Sequence, residues 1–149
     1  MNEALPQLLL LSHVAATLCI LGVIWFVQVV HYPLFANAES ADFQGYAQRH
    51  TQRTTWVVAL PMLVEGGTAL LLFGFSPRGV SVWQLWVGLV LLAAIWISTA
   101  LLQVPCHKAL SRGFDPRVHE RLVWTNWIRT TAWSLRALLV LWMAMSSFG

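Results

Sequence analysis

His119-Glu-Arg-Leu-Val-Trp-Thr-Asn-Trp-Ile-Arg-Thr-Thr-Ala-Trp-Ser-Leu-Arg136 opens the last long apolar segment of the chain. Steps of three and four along it pick out His119, Leu122, Asn126, Arg129, Trp133 and Arg136, so one helical face carries most of the hydrogen-bonding groups. At membrane depth, two arginines and an asparagine are tolerable only if they face a protein interior or a wet cavity. Such residues are by default a hypothesis of function. The reading of the whole chain therefore turns on what the other segments place opposite this face.

The chain has 149 residues, 58% hydrophobic and only 10% charged, with nine tryptophans. Charge that sparse argues against an ordinary water-soluble globule. Four apolar stretches reach the roughly 20 residues a helix needs to cross a bilayer, and they predict helices over about 8–31, 54–75, 82–105 and 117–146. The first has no positive residue in its leader and too long an apolar run for a signal peptide, so it is expected to be a retained helix. The spacing of Phe43, Tyr46 and His50 adds a short amphipathic helix over about 40–50, lying at the membrane interface. The expected fold is all-α: one transmembrane domain, an integral membrane up-down-up-down four-helix bundle.

The net charge of +3 is carried by the connections: Arg49 and Arg53 in the first, Arg78 alone in the second, Lys108, Arg112, Arg117 and Arg121 in the third. The positive-inside bias then puts connections one and three in the cytoplasm and both termini outside. Basic residues beside a bilayer report orientation, and no nucleic-acid partner is expected. Cys19 and Cys106 fall at different depths, so no disulfide is expected. Asp115-Pro116 reads as an N-cap followed by a first helical turn. Gly66-Gly67 permits close helix approach, which serves either packing inside the bundle or a homodimer.

Two polar levels emerge when the predicted helices are set side by side. His31, His50, His107 and His119 all fall near the cytoplasmic rim, with Gln28, Gln103 and Asn126 about a turn deeper. Rim histidines beside aromatic residues serve as interfacial anchors. Four at one level could also hold a transition metal or a haem iron, with neutral imidazoles as ligands. The second level lies roughly 22–27 Å in and contains His13, Glu65 and Arg136. The simplest reading is a structural Glu65–Arg136 ion pair, since neither charge is tolerable alone. A sharper reading has His13 and Glu65 exchanging protons with a ligand held beneath Arg136. Trp133 is expected deeper than the belt tryptophans, as is Trp96.

Gln103-Val-Pro105-Cys-His107-Lys-Ala-Leu110, an Asp-Pro turn, then Leu122-Val-Trp124-Thr-Asn126-Trp127-Ile-Arg129-Thr130 resembles the anthrone oxygenase-like family of small four-helix membrane proteins. The likeness covers roughly residues 100–136, and departs from the family pattern at His107, where asparagine is expected, and at Asn126, where a residue nearer histidine is expected. The resemblance implies oxidation of a lipophilic, often polycyclic phenolic substrate inside the membrane, and it carries over His107, Asn126 and Arg129 as site residues.

The expected function is a membrane-embedded oxidoreductase whose partners are the bilayer and a lipophilic small molecule. His107, Asn126, Arg129 and Glu65 are the candidate catalytic groups, with Arg129 able to stabilise a phenolate through its permanent charge and fixed fork of donors. Gln28, Gln103, Trp127, Trp133, Arg136 and His13 are the candidate substrate contacts, and His31, His50, His107 and His119 the candidate metal ligands. Two other classes fit the same polar stripes: a binding or transport module for haem, a quinone or a small solute, and a structural membrane protein whose polar groups satisfy one another.

Overall fold

A computed structural model describes residues 4–35 and 43–149, and everything below concerns those residues. They form helices and no strands. Four helices are long and apolar enough to span a membrane: α1, Ala4–Phe35; α2, Phe43–Leu71; α3, Val82–Leu110; and α4, Pro116–Phe148. At 29 to 33 residues each, they are roughly 44–50 Å long, more than the ~30 Å hydrocarbon core, so their ends reach the headgroup region. α1 packs along α2 and α4, and α3 packs along α4, whereas α2 and α3 touch over little of their length.

Large apolar side chains stand on the surface while several polar and charged ones lie inside. Trp56 is 77% exposed, Leu60 and Met145 69% each, while Glu65, Asn126 and Thr130 are fully enclosed. A water-soluble bundle shows the reverse, and lipid is the solvent this arrangement suits: the chain is a multi-pass membrane protein. Burial of apolar area does not drive helices together in lipid, where close packing and interhelical hydrogen bonds take over. The packing falls into three apolar layers. One end holds Tyr32, Phe35, Phe43, Cys106, Leu110 and Leu122; the middle holds Ile20, Ile24, Ile95 and Trp133; the other end holds Leu10, Leu72, Leu85, Val140 and Met143.

The helix boundaries differ from the sequence expectation in two instructive ways. α1 does not stop before Pro33. A wide π-helical turn, Val27–His31, precedes it, and a second, Thr99–Gln103, precedes Pro105 in α3. Proline lacks an N–H and crowds the carbonyl four residues back, so widening the preceding turn lets each helix run on. The separate interfacial helix over 40–50 is also not found: from Phe43 onward that segment is the first part of α2, and its residues 40–42 lie outside the described ones.

The α3–α4 connection ends as its Asp-Pro signal implies, with Asp115 Oδ1 accepting from the backbone N–H groups of Arg117 and Val118 at 2.8 and 3.2 Å. In the α2–α3 connection Gly79 has φ +82°, and a Cβ there would stand 1.9 Å from the Ser146 carbonyl oxygen. Only glycine lets this turn lie against the end of α4.

Candidate functional site

The deep polar level is a closed network. Glu65 on α2 is 0% exposed and Arg136 on α4 1%, and Arg136 Nε donates to Glu65 Oε1 at 2.9 Å. Thr17 on α1 donates to the same oxygen at 2.8 Å, and the Trp133 indole N–H donates to Oε2 at 3.1 Å. Arg136 Nη1 also donates to the Gly88 carbonyl of α3. His13 Nδ1 shares a hydrogen bond with Thr68 Oγ1 at 2.8 Å, and its Nε2 lies 3.4 Å from Arg136 Nη2. The Glu65–Arg136 pair thus ties together all four helices. The void beside His13, Gln84 and Arg136 has about 10 Å3, room for a single water. A substrate beneath Arg136 does not fit there, so Glu65, His13 and Arg136 stand as an internal ion-pair network away from any ligand space.

The shallower level is open. A cavity of about 500 Å3 lies among all four helices, within the size range of small-molecule sites. Ile20, Val23, Ile24 and Val27 of α1 and Val58 of α2 give it an apolar wall. Its polar groups converge from elsewhere: Tyr32, His50, Gln103, His107 and Arg129. The Tyr32 hydroxyl shares a hydrogen bond with His107 Nε2 at 2.9 Å and also meets the Arg129 guanidinium. Arg129 lies 5.3 Å over the Trp133 ring, a cation–π contact, while its Nε is buried with no hydrogen-bond partner. A buried guanidinium N–H without an acceptor is costly, and here it belongs to a residue lining a cavity large enough for a ligand.

Trp133 joins the two levels. Its ring forms part of the cavity wall under Arg129, and its N–H is anchored on Glu65. It is 1% exposed, so the indole cannot swing out of the cavity wall without breaking that bond. Gln103 is fixed likewise: its Oε1 accepts from Ser98 at 3.0 Å across the wide turn of α3, and its Nε2 donates to Thr125 at 3.3 Å.

The remaining expected site residues lie elsewhere. Asn126 is fully buried but off the cavity wall, donating to Gln28 Oε1 at 2.8 Å, while Gln28 Nε2 donates to the Val123 carbonyl. Its own Oδ1 has no partner. Trp127 stands on the outer surface, edge-on to Trp25 at 5.8 Å between ring centres. The rim histidines separate. His31 and His50 stack at 4.2 Å, His50 and His107 lie 6.0 Å apart by ring centres, and His119 turns away to hydrogen-bond the Tyr32 carbonyl at 2.8 Å. Among the described residues no three His, Cys, Asp or Glu side chains are grouped so that they could hold one metal ion. His31, His50, His107 and His119 therefore do not form a four-ligand set, since stacked rings cannot both aim their nitrogens at a common point.

Tyr32 is a residue of the cavity that the sequence did not single out. The wide turn at Val27–His31 adds a residue to the helical repeat. The inward face therefore passes from His31, half-buried, to Tyr32, buried. The signal was Pro33 itself, inside an apolar run that continues beyond it. Comparison with known proteins finds no matching family model, no matching curated protein and no matching solved structure.

Proposed function

We propose that the chain binds a lipophilic molecule bearing a phenol or enol in the cavity beneath Arg129 and oxidises it there with dioxygen. The observation that carries this is Arg129, which lines a largely apolar cavity beside the Tyr32–His107 hydrogen bond and whose buried Nε has no hydrogen-bond partner. Arg129 is the group for an oxyanion, its charge being permanent and its donor fixed in place. Tyr32 and His107 form a path by which a proton can leave the bound hydroxyl, with the imidazole as the acceptor. Once the ring system carries the negative charge, dioxygen can take its electrons. Conversion of a ring methylene to a carbonyl consumes one O2: one oxygen atom enters the C=O group, and the other departs as water with the two hydrogens.

The resemblance of residues 100–136 to anthrone oxygenase-like proteins points the same way through Arg129, while at His107 the chain departs from that pattern. In the same reading the helices run up-down-up-down, the cavity lies toward the cytoplasmic side with connections one and three, and both termini are outside. The test uses protein reconstituted in liposomes with anthrone as substrate, measuring oxygen uptake and anthraquinone formed. The expected result is stoichiometric uptake faster than in empty liposomes, reduced at least about tenfold by Tyr32→Phe. Equal rates with and without protein would overturn the oxidation.

A second reading, a binding module without turnover, has one observation in its favour. The one carboxylate buried at depth, Glu65, is fully engaged by Thr17, Trp133 and Arg136 and does not reach the cavity. Anthrone that binds without being oxidised would select it.

A further inference from the structure

The cavity has a side. Its lining residues that are also exposed come from two facing edges: Gln48, Thr51, Gln52 and Thr55 on α2, and Val104 and Lys108 on α3. Of the neighbouring pairs, these two helices pack least closely. Farther along the seam the helices do meet, where Gly66 faces Trp96: a Cβ on that glycine would sit 3.8 Å from the Trp96 ring. The gap is therefore a slot with one end shut. It starts among polar residues, Gln48 and Lys108, and runs inward past Thr55 and Val104 to the apolar wall at Val58. Nearby outward-facing residues on both helices are apolar, Trp56 and Val57 on α2 and Leu101 on α3, so this part of the slot faces acyl chains.

We infer that the ligand enters sideways from the bilayer, through the seam between α2 and α3. The site thus selects molecules already dissolved in the membrane: a flat apolar body slides past Thr55 and Val104, and its single polar group settles at Arg129. This rests on the ligand site proposed above and adds the route and the class of molecule, a membrane-partitioned amphiphile. Gly66 and Trp96 set how far along the slot the opening extends.

A larger side chain at the mouth of the slot raises the barrier in both directions, because entry and exit cross the same transition state. The experiment uses the protein in lipid nanodiscs with 1-pyrenol as the probe, followed by energy transfer from tryptophan in stopped flow. Thr55→Trp and Val104→Trp are each expected to slow both association and dissociation, by about tenfold. Leu138→Trp, on the lipid-facing side of α4, is expected to leave both rates alone. Pyranine, the same ring system confined to water by three sulfonates, is expected not to enter. Seam variants that bind pyrenol at the unaltered rates, or pyranine entering as fast as pyrenol, would overturn the lateral route while leaving the site intact. Failure of pyrenol to bind the unaltered protein would remove the site and the route together.

Discussion

Replacing Glu65 with glutamine tests the deep network at its single anion. The side chain is fully enclosed and accepts from Thr17, Trp133 and Arg136 at 2.8, 3.1 and 2.9 Å. Glutamine keeps one acceptor oxygen and puts an NH2 where the other stood. Either Trp133 or Arg136 then faces a donor, and the Arg136 guanidinium keeps a full charge with no counter-ion. Removing one partner of a buried ion pair costs about 3–5 kcal/mol. Ordinary interhelical hydrogen bonds in membranes average only about 0.6 kcal/mol, so the lost charge dominates the lost bonds. At about 2–4 °C per kcal/mol for a chain of this size, Glu65→Gln is expected to lower the midpoint of thermal unfolding in detergent by roughly 10 °C. The double variant Glu65→Leu with Arg136→Met removes both charges and is expected to recover most of that loss, because a well-packed apolar pair can replace a buried ion pair at little cost. A Glu65→Gln midpoint within about 2 °C of the unaltered protein would refute the reasoning, as would a double variant worse than the single one.

Other consequences are nearer the surface or the site. Tyr32→Phe removes the hydroxyl that His107 Nε2 meets at 2.9 Å; it is expected to lower turnover of anthrone by about 10²-fold while changing its dissociation constant little, which single-turnover and equilibrium binding measurements separate. Gly79→Ala forces a Cβ against the Ser146 carbonyl at positive φ and is expected to destabilise by more than about 1 kcal/mol, read from denaturant unfolding in detergent. Asp115→Ala removes the acceptor for two N–H groups of α4 and is expected to cost about 1 kcal/mol, with faster amide hydrogen exchange confined to the first turn after Pro116.

Length and hydropathy made the four long helices legible, and depth counting along them brought Glu65 and Arg136 to one level, where they pair. Depth is one coordinate, however, and a site needs the angle around each helix as well. Asn126 and Arg129 share a stripe in α4, yet Asn126 turns to Gln28 while Arg129 meets the cavity, because the two lie toward different edges of that stripe. The same limit governs the histidines. His119 shares the level of His107 but is drawn off by the Tyr32 carbonyl, a partner no periodicity displays. The wide turns before Pro33 and Pro105 shift the helical register midway, so stripes drawn at constant pitch lose Tyr32. The cavity itself was not legible as a shape. It arises where α2 and α3 fail to close, and a gap between two helices is a property of neither sequence segment alone.

The most direct test of the account is a structure of the protein in nanodiscs with 1-pyrenol bound, at a resolution that places side chains. The ring system is expected among Ile20, Ile24, Val27 and Val58, with its oxygen at hydrogen-bond distance, about 3 Å, from the Arg129 guanidinium. Pyrenol bound outside the cavity, or Arg129 Nε satisfied by a neighbouring side chain with no ligand beside it, would contradict it.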